Sequence, residues 1–210
     1  MIDSNNHIIS RSLFAGICIS VGGFTFLSSA SPIVGAILFS TGLLACSVLN
    51  LNLFTDKSGF LSDSKDLRSL ILVLLLNLFA AFVFGLITRF FETSVSSAAN
   101  SVLTAQFNTG YFPCIIRSTI TGFLMTLAMC REPRQNTNYN SIIIILCAFA
   151  AMYLGGFHCI LESFYYGAST VFYDNIGDLL LRLLIIVVFN FIGCSLYNLF
   201  IHRSFIHNPE

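Results

Sequence analysis

From Ser12 to Thr55 the chain carries no charged side chain. A helix crosses the hydrocarbon core of a bilayer in about 20 residues. The run is therefore long enough for two crossings, divided at Ser28-Ser29-Ala30-Ser31-Pro32, where small polar residues and a proline supply a turn. Ser69 to Thr88, Gln135 to Leu161 and Leu183 to His202 are equally free of charge. Only 10% of the residues are charged and 56% are hydrophobic, against about 25% charged in an average soluble domain. The chain reads as an all-α membrane protein with no soluble domain.

Six spans follow, at 12 to 29, 33 to 54, 68 to 90, 112 to 130, 141 to 161 and 177 to 201. The fourth is the least obvious, because the uncharged stretch between Arg117 and Arg131 is too short to span. It must begin near Phe112, with Arg117 facing protein or water. The polar segment from Thr93 to Gly110 reads as extracellular or interfacial. With the N-terminus inside, Arg11, Lys57, Lys65, Arg68, Arg131, Arg134 and Arg203 are cytoplasmic, and Arg89, Arg117 and Arg182 lie outside. That excess places both termini in the cytoplasm of a cell (plasma or inner) membrane protein. The first apolar run lacks a small-x-small cleavage site and is read as a retained helix.

The two halves echo one another. Arg11-Ser12-Leu13-Phe14-Ala15-Gly16 opens the first span, and Arg117-Ser118-Thr119-Ile120-Thr121-Gly122 opens its counterpart; Asn77-Leu78-Phe79-Ala80 is answered by Asn190-Phe191-Ile192-Gly193. Three crossings per half is an odd number, so the second half enters from the opposite side, an inverted repeat. The expected domain is a single one, 1–210, with repeats at about 11–90 and 112–201. The second span ends in Asn50-Leu51-Asn52-Leu53-Phe54-Thr55-Asp56, and the fifth in Gly155-Gly156-Phe157-His158-Cys159-Ile160-Leu161-Glu162. Polar residues and paired glycines suit a helix break, which a membrane tolerates only in protein or beside a cavity. Both breaks are expected to line a pore, His158 with them, while Asn77 and Asn190 bond the exposed backbone there. Zero net charge implies no nucleic acid. No G-x-S-x-G, H-E-x-x-H or His/Cys ligand spacing occurs, so neither enzyme nor cofactor nor metal is implied. The seven scattered cysteines read as small packing residues.

These motifs resemble the formate/nitrite transporter family along essentially the whole chain. Ala15-Gly16-Ile17-Cys18-Ile19-Ser20-Val21-Gly22-Gly23 matches its first-span glycine pattern. Gly35 to Leu43 and then Leu53-Phe54-Thr55-Asp56 match its second span and loop, and Asn190 to Gly193, with Asn77 to Ala80, its Gly-Asn-x-x-Gly pattern. The lysine after the Leu-Phe-Thr loop, Lys57, looks most like the hydrosulfide-channel branch. The resemblance implies an aquaporin-like homopentamer with one pore per protomer, passing small weak-acid anions or their conjugate acids. Thr55 and His158 would face one another at the constriction, with Leu53 and Phe54 as gate lining. Two readings stand for Arg11 and Arg117: vestibule attractors for anions, or interface anchors that snorkel to headgroups.

Three departures bear on the site. Aligned on Gly156-Phe157, Cys159 takes the family's histidine position; aligned on His158, Glu162 takes the place of an asparagine. Asp56 replaces a glycine and pairs with Lys57 or points away. Glu162 shares a helical face with His158 if the backbone stays helical. The rival function is an aquaporin-like conductance for a small neutral solute.

Overall fold

The computed structural model describes residues 5–58, 64–129, 137–171, 176–197 and 199. Among these there are no strands. The helices are α1 (Asn5–Ser28), α2 (Pro32–Val48), α3 (Phe54–Ser58), α4 (Ser64–Phe91), α5 (Thr93–Asn108), α6 (Tyr111–Met129), α7 (Thr137–Tyr153), α8 (Cys159–Ala168) and α9 (Ile176–Tyr197). Arg131, Arg134, Arg203, Cys130 and the side chain of Lys65 lie outside the described residues, as does the end of the expected sixth span beyond Tyr197, apart from Leu199.

Among the described residues four helices, α1, α4, α6 and α9, are long and apolar enough to cross a membrane. The spans expected at 33–54 and 141–161 are not continuous. With 17 residues each, α2 and α7 reach roughly 25 Å at 1.5 Å per residue, short of the ~30 Å hydrocarbon core. Each hands over, through a few non-helical residues, to a short helix, α3 or α8. The segment 93–110, read as extracellular or interfacial, holds the helix α5. Its buried face is Val95, Ser96, Ala99, Leu103 and Gln106.

Local chemistry sets these limits. Ser31 caps α2 by accepting from Val34 N–H, with Pro32 in the first turn, where a proline lacks nothing the helix needs. At its other end Leu51 N–H reaches back to Cys46 O at 2.9 Å and Asn50 takes φ 56°, the left-handed turn that asparagine tolerates. Three buried hydroxyls inside the long helices are satisfied on their own turn: Ser12 Oγ donates to Ile8 O at 2.7 Å, Ser20 Oγ to Gly16 O at 2.8 Å and Ser118 Oγ to Cys114 O at 2.7 Å.

The packing has a consistent pattern. α1 packs against α2 and α4, and α6 against α7 and α9, while α2 and α7 meet between them. Each short helix lies against the other half: α8 on α4 and α1, α3 on α9 and α6. Two glycines let the opening helix of each half approach its buried asparagine. A Cβ on Gly16 would overlap the Asn77 carbonyl, and one on Gly122 that of Asn190. The polarity runs inside out for a soluble protein: Phe79, Phe90, Phe91, Phe112 and Tyr153 are exposed, while Ser12, Thr55, Asn77, His158, Glu162 and Asn190 are buried. Such a surface suits lipid or further apolar protein.

Candidate functional site

Two buried asparagines hold the two breaks. From α4, Asn77 Nδ2 donates to Ser12 O at 2.7 Å and to Asn52 O at 3.1 Å, and its Oδ1 accepts from Phe54 N–H at 2.9 Å. From α9, Asn190 Nδ2 donates to Ser118 O at 2.8 Å and to Phe157 O at 3.0 Å, and its Oδ1 accepts from Cys159 N–H at 3.0 Å. Each carboxamide thus binds the opening helix of its own half and both sides of its own break. Backbone groups freed at membrane depth would otherwise cost several kcal/mol each.

The second break turns on Gly155 (φ 109°) and Gly156 (φ 68°), backbone angles that a side chain disfavours. The chain then enters α8 through His158 as N-cap, whose Nδ1 accepts from Leu161 N–H at 3.4 Å. With Nδ1 accepting, the proton of the neutral ring lies on Nε2. That nitrogen lies 3.4 Å from Thr55 Oγ1 of α3, and both residues are buried. Thr126 Oγ1 of α6 bonds Thr55 O at 3.2 Å and fixes the α3 turn. It is the His158 ring that meets Thr55; Cys159 contributes its backbone N–H to Asn190. Leu53 and Phe54 are buried immediately before Thr55.

Glu162 goes elsewhere. It is 1% exposed, and its Oε1 accepts from Gln106 Nε2 of α5 at 2.8 Å, so its hydrogen bond runs to α5 and not to His158. Gln106 Nε2 also donates to Gly155 O at 2.9 Å. At the far end of α8, Asn100 Oδ1 accepts from Ser169 Oγ and from Thr170 N–H, so α5 grips α8 at both ends. The carbonyls that end α5 are taken by Arg182 of α9: Nη1 donates to Gln106 O and Thr109 O, both at 3.0 Å, and Nη2 to Phe107 O at 2.8 Å. Asp178 holds Arg182 Nε at 2.9 Å and accepts from Tyr111 Oη. Gln106, Asn100 and the Asp178–Arg182 pair were not singled out by the sequence. The legible signal was an acid and a base four residues apart at the head of an apolar helix.

Arg117 and Arg11 are not brought together. Arg117 is exposed, with its guanidinium 5.8 Å over the Phe157 ring, whereas Arg11 is half-buried on α1. Arg117, Gln106, Gly155, Phe157, Tyr165 and Phe26 are among the residues lining a cavity of about 220 Å³. Asp56 is half-buried and Lys57 exposed on α3. The six described cysteines are buried and none is in a disulfide, which fits packing. Among the described residues no group of His, Cys, Asp and Glu could hold a metal ion.

Long apolar helices with a lipid-compatible exterior, and interrupted helices meeting around a buried polar pair, define a multi-pass membrane channel. The chain belongs to the formate/nitrite transporter family, whose model matches residues 3–203. It shares its fold with a solved structure described as a pentameric formate channel with formate bound, at TM-score 0.75 and 16% identity, over 96% of this chain and 95% of that one. A second similar structure, described as an FNT family ion channel, gives TM-score 0.70 and 16% identity over 97% of this chain and 89% of its own. No curated protein matches the sequence.

Proposed function

We propose that the chain is a pH-dependent channel for small monovalent weak-acid anions such as formate, nitrite or hydrosulfide. The observation that carries this reading is the buried His158–Thr55 pair at the meeting point of the two broken segments. An anion in an apolar constriction bears a large desolvation penalty; its conjugate acid bears a far smaller one. The anion takes a proton from solvent on its way in, passes Leu53 and Phe54 as the neutral acid, and releases the proton beyond. At the constriction His158 Nε2–H donates a hydrogen bond to the permeant and Thr55 Oγ1 accepts or donates a second. The N-terminal, positive end of α8 lies there too and favours any residual negative charge. Arg117 and Arg11 gather anions at the two faces.

The architecture that goes with this mechanism is one transmembrane domain, 1–210, of six crossings: α1, α2 with α3, α4, then α6, α7 with α8, α9. The halves, about 11–90 and 112–201, are inverted repeats. The matched bonding of Asn77 and Asn190 and the reciprocal packing of α3 and α8 support that reading. Both termini are cytoplasmic, in the plasma or inner membrane, and the assembly is a homopentamer, a reading supported by the fold neighbour's description as pentameric. A reporter after Glu210 and an impermeant label on Thr104→Cys, exposed on α5, should mark opposite sides; the same side would remove the inverted arrangement.

Flux into proteoliposomes of formate, nitrite, lactate and hydrosulfide, at two pH values, tests the function. Uptake of at least one is expected to rise as the outside is acidified. Uptake of all four equal to that of empty vesicles at both pH values would end the proposal.

A further inference from the structure

The helix α3 is only five residues long, Phe54–Ser58, and its last four carbonyls, Thr55 O among them, have no backbone partner within it. Two hydroxyls take Thr55 O. Ser58 Oγ donates at 3.3 Å from the end of α3 itself, and Thr126 Oγ1 donates at 3.2 Å from α6. The Cys194 thiol of α9 lies against both hydroxyls and donates to Gly122 O at 3.3 Å. Ser58, Thr126 and Cys194 are all buried.

Thr126 has one hydroxyl proton and two acceptors for it, Thr55 O and, one turn back on α6, Gly122 O, each at 3.2 Å. Ser20 stands four residues after Gly16 as Thr126 does after Gly122, and its Oγ meets Gly16 O at 2.8 Å. Thr88 and Thr119 close the same kind of bond on their own turns at 2.9 Å. The bond of Thr126 to its own turn is longer because the hydroxyl is drawn toward α3. Thr55 O and Thr55 Oγ1 belong to one residue, so what pins the carbonyl also places the side chain. Oγ1 lies 3.4 Å from His158 Nε2, beyond the about 2.7–3.2 Å of an ordinary hydrogen bond, and a small shift of α3 closes or breaks that contact. The other partner is held differently: α8 is ten residues long and buried throughout, with His158 as its cap.

We propose that Thr126 is a positioning residue for the His158–Thr55 pair: its hydroxyl, reaching from α6 to the Thr55 carbonyl, sets where α3 presents Thr55 Oγ1 to the permeant. The inference rests on the reading of that pair as the constriction. Thr126→Val removes the hydroxyl, yet Thr55 O keeps Ser58 Oγ and Gly122 O keeps the Cys194 thiol. The chain therefore loses the link between α6 and α3 without a stranded carbonyl, and α3 spends less time in the position that conducts.

The test combines labelled formate uptake into proteoliposomes with the nitrogen resonances of isotope-labelled histidine in the same membranes, where the His158 Nε2 signal is the one lost in His158→Asn. Thr126→Val is expected to lower uptake roughly fivefold, the worth of one neutral hydrogen bond, and to move the Nε2 signal toward its position in Thr55→Val. Thr126→Ser should restore both. Added to Thr55→Val, Thr126→Val should change neither any further, because it acts only through Thr55. Thr126→Ala removes the same hydroxyl with less bulk and answers the question if Thr126→Val does not fold. An Nε2 signal at the parent position in the variant lacking the hydroxyl would overturn the inference whatever the uptake, and so would uptake losses that add in the double variant. A signal that moves as expected in a parent protein that takes up no formate would keep Thr126 as the positioning residue of the pair and count against the channel.

Discussion

Asn190→Leu is the substitution from which the structure predicts most. Leucine is branched at Cγ like asparagine but bulkier, so the polar atoms go and crowding against α6 and the break adds to the loss. Three bonds are lost, but not equally. Ser118 O lies inside helix α6, whereas Cys159 N–H and Phe157 O belong to the break itself, and Asn190 is the partner found for each. Two orphaned buried backbone groups at about 1–3 kcal/mol each give a loss of about 2–6 kcal/mol, a large part of the roughly 5–15 kcal/mol that holds a domain together. Reversible unfolding in mild detergent should show it as a lowered midpoint. Asn190→Asp keeps the acceptor for Cys159 N–H and loses both donors, so it should fall in stability too, through Phe157 O. The geometry at the first break is the same, and Asn77→Leu should cost a similar amount. A midpoint for Asn190→Leu within experimental error of the parent would refute the assignment of the asparagines as holders of the breaks.

Two further expectations concern the residues around the pair. His158→Asn retains an N-cap acceptor for α8 but removes Nε2–H from Thr55, so stability should change by less than about 1 kcal/mol while flux falls; unaltered flux at every pH would remove His158 from the permeation step. Gln106→Leu strands Gly155 O and the Glu162 carboxyl and should cost roughly 2–5 kcal/mol, whereas Glu162→Leu added to it should recover part of that loss. Strict additivity in this double-mutant cycle would show that the two side chains do not interact.

Much of the site was legible because membrane chemistry restricts what a sequence can say. Irregular backbone in a bilayer requires glycine or polar residues at the interruption and a carboxamide to satisfy it, so Gly155-Gly156, Asn50 to Asn52, Asn77 and Asn190 announced both breaks. What periodicity cannot give is the length of the surviving helices. α2 and α7 look long enough in an apolar run, yet they stop at Val48 and Tyr153, where Leu51 N–H turns back to Cys46 O and Gly156 N–H to Ala151 O, and the breaks beyond are held by Asn77 and Asn190, tens of positions away. The His158–Thr55 contact spans 103 positions, and only the family resemblance paired them. It also left the register open between His158 and Cys159. The cap geometry decides which side chain turns to Thr55: His158 accepts from Leu161 N–H with Nδ1, which leaves Nε2 facing α3.

Glu162 shows where a local rule gives way to a longer-range one. Four residues beyond His158 on an unbroken helix it would share that residue's face, and a carboxylate there would govern the histidine's charge. His158, however, is the cap of α8 and not part of its body, and its ring is turned back toward Leu161 N–H and Thr55. The face that Glu162 presents is met instead by Gln106, on a helix the sequence presented only as a polar segment. Gln106 is held at that position because Arg182 ties down the last carbonyls of α5, and Arg182 is oriented in turn by Asp178. An acid that looks foreign in an anion pathway thus forms part of the clamp that keeps α8, and with it His158, against the first half of the chain. Its hydrogen bond belongs to that clamp, through Gln106, and not to the His158–Thr55 pair.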